Sequence, residues 1–225
     1  MPIYNAQILK IDAKETRRYA GLIRAKNFDE KNIVDACDEA ILLLDVRGIW
    51  NIYDYDAENF LIKSTPPFKL EGNSITRHIA ACEKVLCIAV TVGEEIEKEV
   101  TRRFNLGNYV ESVLLDAAAT AAVEQAADSL EKAVAPQLAK DGFKMKTRFS
   151  PGYGDWSLEN QKCFFEITGA AEIGMSLSSA LMLMPRKSVT AIIGLAKNKS
   201  DVATSSDKNC GRCNTCAKKD CPARQ

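Results

Sequence analysis

Histidine is almost missing from this chain: His78 is the only one among 225 residues. That excludes histidine-rich metal centres and leaves any Ser-His or Cys-His catalysis dependent on one side chain. Net charge is missing too, since thirty basic residues balance thirty acidic ones, so no overall field steers the molecule to nucleic acid or a membrane surface. No apolar run approaches the roughly 18 to 20 residues of a membrane span, and Met1-Pro2-Ile3-Tyr4 lacks the basic start and apolar stretch of a signal peptide. A cytoplasmic protein without nucleic-acid or membrane partners is expected.

What is present suffices for a folded core. Apolar residues make up 46% and charged residues 27%, which rules out global disorder, and the length allows one large domain or a domain with an appendage. Four of the eight cysteines fall in the last sixteen residues, while Cys37, Cys82, Cys87 and Cys163 stand singly. In a reducing compartment the lone ones are expected as small buried hydrophobes, and the clustered ones call for a metal.

Periodicity gives the outline. Residues 14–25 have the length and charge of a surface helix, and Ile33, Val34, Cys37, Ala40, Ile41 and Leu44 recur at helical spacing. Residues 48–55 alternate and are rich in aromatic and branched side chains, and Pro66-Pro67 then breaks the chain, so a hairpin or short sheet is expected. A short helix near residues 74–83 leads to the apolar run of residues 84–92, which reads as a buried strand, and Gly93-Glu94 opens another helix. Residues 108–140 form the longest periodic segment, with Pro136 as a possible kink or early end and Gly142 as a stop. A strand over 143–149, a Pro-Gly turn, a helix over 158–167 and a strand over 189–195 complete the expectation. Beyond residue 196 the chain turns polar, with seven basic and three acidic residues between 197 and 225.

The sharpest local signal is Arg148-Phe149-Ser150-Pro151-Gly152-Tyr153-Gly154-Asp155-Trp156. Pro151 fixes one dihedral, and Gly152 and Gly154 permit positive φ and close backbone approach, so a tight exposed bend leaves the strand. Arg148 offers a planar donor fork for a carboxylate or phosphate, and Tyr153 and Trp156 offer faces for a flat ring or a sulfonium. The alternative is a rigid turn whose aromatics cap the core.

Arg148, Gly152 and Tyr153 resemble the Arg-x-x-x-Gly-Tyr motif of the activation domain of vitamin B12 (cobalamin)-dependent methionine synthase. Leu158-Glu159-x-Gln161, Ile173-Gly174-Met175-x-Leu177 and Met184-Pro185-x-Lys187-Ser188-Val189-Thr190 continue it in the order of stand-alone bacterial relatives. The resemblance is most specific over residues 143–195, extends loosely back to about residue 84, and does not cover the first 80. The chain reads as a single mixed α/β (α+β) domain over residues 1–196 with long helices, and the resemblance implies that these pack on a curved, mainly antiparallel sheet. It also implies S-adenosylmethionine binding, with Arg148 holding the methionine carboxylate and Pro151, Gly152 and Tyr153 lining the ligand. The chain departs from the large enzymes in the last strand, where an aromatic pair is replaced by Ile193-Gly194, and no match is found for an acidic residue they use from their N-terminal part.

Asp116, Thr120, Glu124 and Asp128 follow one another every four residues and so stack on one helix face. Either this is a solvated face partnered by Lys132, or Asp116 or Glu124 faces the pocket and offsets a sulfonium charge. His78, beside Arg77, reads as a surface or capping residue sooner than a base.

The tail carries Cys210-x-x-Cys213-x-x-Cys216-x-x-x-x-Cys221-Pro222. Four thiolates so spaced can close around an iron-sulfur cluster or a zinc ion, with a labile thiol cluster or disulfides as further options. Lys208, Arg212, Lys218 and Lys219 make a local basic patch there, suited to an acidic redox partner or to solubility alone. No Asp-x-His-x-x-Gly for cobalamin is present, so the expected role is that of an activation component and not of a complete enzyme. Its client would be a separate cobalamin-binding methyltransferase, methionine synthase first, with a flavodoxin or ferredoxin-like reductant. The rival readings are a non-enzymatic docking module with a drifted ligand site and a zinc-stabilised tail, and an electron-transfer protein for another corrinoid protein.

Overall fold

The apolar run at residues 84–92 folds as the strand around which everything else is arranged. In the computed structural model, which describes residues 2–5 and 7–197, the elements in chain order are β1 (Ile3–Tyr4), α1 (Ala13–Tyr19), α2 (Glu30–Leu43), β2 (Arg47–Asp56), β3 (Leu61–Ile62), β4 (Phe68–Lys69), α3 (Asn73–His78), β5 (Lys84–Thr91), α4 (Glu95–Asn105), α5 (Tyr109–Lys140), β6 (Phe143–Met145), α6 (Gln161–Thr168), β7 (Ser176–Leu177), β8 (Leu183–Met184) and β9 (Ser188–Lys197). The main sheet has the order β4-β3-β2-β5-β9-β6, all neighbours antiparallel, with β1 beside β2. β7 and β8 form a separate hairpin. This is the mixed helix and antiparallel-sheet class expected from the sequence.

β5 lies between β2 and β9 and is covered on both faces, which is why it reads as a continuous apolar run and not as an alternating one. On one face α5, flanked by α1, α2 and α4, packs onto Leu86, Ile88, Val90, Ile193 and Leu195. Alanines 117–119, 121, 122, 126 and 127 let that helix sit close, and a Cβ at Gly48 would come within 2.7 Å of Leu130 Cδ1. On the other face Ile75, Ile79 and Cys82 of the α3 region join Trp156, Phe164 and Ile192. β9 shares its side chains between the two: Ile193 and Leu195 turn to α5, Ile192 to α3 and α6.

Three expectations are corrected. The helix of residues 14–25 ends at Tyr19, because the chain turns through Gly21 at φ +73°. Pro136 neither ends nor shortens α5; Val134 and Leu138 on either side of it are buried, and that packing offsets the missing N–H. The strand of residues 143–149 is regular only to Met145 and rejoins β9 as a single bridge, Phe149 to Ile192.

That interruption matters for the site. Between the pairs Met145–Leu195 and Phe149–Ile192, four steps along the β6 strand face three along β9. One extra residue is therefore inserted, as in a β-bulge, and it exchanges the faces to which successive side chains point. Phe143 and Met145 face α5; after the slip Phe149 faces α3 and α6, and Arg148 takes over the α5 side.

Candidate functional site

Arg148 reaches α5 at the edge of the sheet, where its guanidinium meets three carboxylates. One terminal nitrogen donates to Asp128 Oδ1 at 2.6 Å and to Glu131 Oε1, and the other to Glu124 Oε2 at 2.9 Å. The side chain is only 7% exposed, against 54% for Asp128, 22% for Glu131 and 30% for Glu124. Burial alone would lower the affinity of the guanidinium for its proton, but the charges of Glu131 and Asp128 outweigh it and hold Arg148 above its ordinary value. The structure thus joins Arg148 to Glu124. Glu131 was not anticipated, although Glu124, Asp128 and Glu131 stand at i, i+4 and i+7 and so share a face.

Asp116 does not join that group. Two turns nearer the helix start, its carboxylate pairs with Lys187 Nζ at 2.9 Å, and the same ammonium donates to Thr120 Oγ1 at 2.9 Å. The structure pairs the acidic stripe with Arg148 and Lys187, both from the sheet side. Glu97 of α4 fixes the Lys187 segment by accepting its backbone N–H at 2.8 Å.

The bend after Arg148 is built as a clasp on α3. Tyr153 N–H donates to Ser150 at 3.1 Å and Gly152 N–H to Trp156 at 2.8 Å, with Gly152 and Gly154 at φ +89° and +58°. Asp155 then caps α3 across the fold, its carboxylate accepting the N–H groups of Asn73 and Ser74, each at 2.8 Å. These bonds from Ser74, backbone first and hydroxyl second, hold the Asp155 carboxyl below its usual range. Phe149 lies under the bend, its ring centroid 6.5 Å from Tyr153, 6.1 Å from Trp156 and 5.7 Å from His78. Trp156 is 1% exposed, and its indole N–H has no partner among the described residues. Pro151 is buried as well, whereas Gly152 and Tyr153 are exposed, the latter by 58%. Of the expected ligand-lining residues, then, Gly152 and Tyr153 present themselves to solvent, Pro151 serves as an anchor, and Trp156 belongs to the core.

His78 acts as a tether: its Nε2–H donates to the Thr147 carbonyl at 2.9 Å, and Lys146 Nζ donates to the His78 carbonyl at 2.8 Å. Cys37, Cys82 and Cys87 are buried as expected, and burial pushes the Cys87 thiol up, but Cys163 is exposed on α6. At Gly194 a Cβ would lie 2.5 Å from Cys82 Sγ and 2.9 Å from Ile79 Cγ2, so the end of α3 fills the space an aromatic side chain would need there. Among the described residues no group of three or more His, Cys, Asp or Glu is placed to hold a metal, and no helix is long and apolar enough to cross a membrane. Cys210, Cys213, Cys216 and Cys221 lie outside the described residues.

No protein-family model matches the chain, and no curated protein matches its sequence. Among solved structures the chain is similar to the MetH reactivation domain bound to AdoHcy, at a TM-score of 0.60 and 12% identity, over 90% of this chain and 81% of that one. At this identity the likeness is one of fold, and the fold is that of the MetH reactivation domain.

Proposed function

We propose that this protein binds S-adenosylmethionine and serves as the activation component of a separate cobalamin-dependent methyltransferase, methionine synthase being the first candidate client. The observation that carries the reading is the conjunction of a fold shared with a reactivation domain bound to AdoHcy and the Arg148-x-x-x-Gly152-Tyr153 bend at a sheet edge. The residues present suit the ligand. Arg148 supplies the fork for a carboxylate, the exposed Tyr153 ring a face for the adenine or the sulfonium, and Gly152 an open backbone where a Cβ would meet only Leu158 Cδ1, at 3.5 Å. Glu124 and Glu131 add negative charge for the ammonium group. Bound there, S-adenosylmethionine supplies a transferable methyl group. This chain's residues would bind and orient it, and the client would hold the cobalamin that receives it.

The tail is proposed as a metal-binding appendage of residues 197–225, distinct from the domain of residues 1–196. Cys210, Cys213, Cys216 and Cys221 would hold an iron-sulfur cluster, or else zinc, by four thiolates within twelve residues. A cluster supplies low-potential electron transfer, which zinc does not; a flavodoxin or ferredoxin-like protein would be its electron source. A second reading, a docking module with a drifted ligand site and a zinc-stabilised tail, is favoured by one observation: the guanidinium of Arg148 is already engaged by α5.

Titration calorimetry of the anaerobically purified full chain with S-adenosylmethionine, with the visible spectrum and metal content of the same sample, separates the two. Micromolar binding by a brown, iron-containing protein is the expected result. Absence of binding by a colourless, zinc-containing protein would replace the activator with the docking module.

A further inference from the structure

We infer that Asp128 is an intramolecular competitor for the ligand's carboxylate, a latch that occupies the Arg148 fork until S-adenosylmethionine displaces it. The inference rests on the reading of Arg148 given under Proposed function. In the structure one terminal nitrogen of Arg148 gives both its N–H groups to Asp128 and Glu131 and the other gives one to Glu124, so the end-on pair of the fork is closed, and a carboxylate that takes that pair must replace Asp128 or Glu131. They differ in how readily they can leave. Glu131 and Glu124 are mostly covered. Asp128 is the most exposed of the three at 54%, so water is at hand to solvate its carboxylate once released. Its bond to Arg148 also shares a nitrogen with Glu131, so the guanidinium stays anchored to α5 by Glu131 and Glu124 when Asp128 departs. The released carboxylate stays tethered beside the guanidinium, so the ligand's carboxylate enters against a resident negative charge, and removing that charge favours its entry.

The prediction has a direction that a purely supportive role would not produce. If Asp128 only steadied Arg148 or attracted the cationic groups of the ligand, removing its charge would weaken binding. If it competes, Asp128→Asn tightens binding of S-adenosylmethionine by roughly three- to fivefold, the fold-change that corresponds to the upper range of an exposed ion pair. Decarboxylated S-adenosylmethionine has nothing to offer the fork, and its affinity should be the same in both proteins or weaker in the variant. Calorimetry on the full chain, wild type, Asp128→Asn and Asp128→Ser, with both ligands, tests this. Tighter binding confined to the carboxylate-bearing ligand supports the latch. Unchanged or weaker binding of S-adenosylmethionine in both variants, while the wild type binds, overturns the latch and leaves the proposed function standing. An equal gain for the decarboxylated ligand overturns it as well. Failure of every protein to bind either ligand removes the proposed function, and the latch with it.

Discussion

Substituting Gly194 by alanine tests how tightly the end of α3 closes over the last strand, and its magnitude follows from two distances. The added methyl would sit 2.5 Å from Cys82 Sγ and 2.9 Å from Ile79 Cγ2, where unstrained contacts lie near 3.5 to 4.0 Å. Both neighbours are buried, at 3% and 0% exposure, so neither side chain can swing into solvent. Overpacking of this kind costs about 1 to 3 kcal/mol. Replacing glycine in a strand returns about 0.5 to 1 kcal/mol of chain entropy. The net expectation for Gly194→Ala is a loss of about 0 to 2.5 kcal/mol, centred a little above 1 kcal/mol. Cys82→Ala alone removes one buried sulfur and should cost on the order of 1 kcal/mol. Together they should cost less than their sum by about 1 kcal/mol, because the sulfur is the nearer obstacle, with a residue of strain left against Ile79. Urea unfolding at constant m reads all three. A Gly194→Ala variant more stable than wild type, or strict additivity with Cys82→Ala, would show that α3 does not close over this position and would reopen it as a ligand surface.

Arg148→Ala should weaken S-adenosylmethionine binding by roughly 10- to 100-fold, the loss of a charge-assisted hydrogen bond of about 1.5 to 3 kcal/mol, and unchanged affinity by calorimetry would remove Arg148 from the ligand site. Asp155, with its carboxyl held below the ordinary range in the folded state, contributes stability that is present above the unfolded value of about 3.9 and is lost as pH falls through the lower folded value. Asp155→Asn should therefore flatten the acid limb of a plot of melting temperature against pH between about 5 and 2; an unaltered limb would mean that the cap on α3 contributes nothing. Joint replacement of Cys213 and Cys216 by serine should abolish the bound metal and leave the main thermal transition in place, whereas collapse of that transition would move the domain boundary away from residue 197.

Much of the fold is legible in the sequence because its layers leave simple periodicities. A strand buried on both faces reads as an unbroken apolar run, as at Lys84–Thr91, and a helix lying flat on a sheet shows small residues at close spacing, as at Tyr109–Lys140. Elements whose ends are set by tertiary contacts do not announce themselves. Gly21 is a local stop signal for α1, whereas the tolerance of Pro136 in α5 depends on what Val134 and Leu138 touch, which lies far off in the chain.

The site was legible in its residue types and obscure in its partners. Arg148, Gly152 and Tyr153 stand out because an arginine before a Pro-Gly bend is a compact pattern, but the pattern carries no statement of which way Arg148 points. That direction is set by a one-residue slip against β9, and a slip can be seen only when both strands are laid side by side. Had the strand of residues 143–149 continued in phase, Phe149 would have faced α5 and Arg148 the α3 side, above the same bend as Tyr153. The slip instead sets the half-buried Phe149 ring against Tyr153 and Trp156 and sends the guanidinium to Glu124, Asp128 and Glu131. The two halves of the motif are thereby divided between the faces of the sheet. A ligand that used both would lie across its edge, with its carboxylate end toward α5 and its ring toward the bend. Its affinity would then be governed as much by the carboxylates that already hold Arg148 as by the ring that receives the other end.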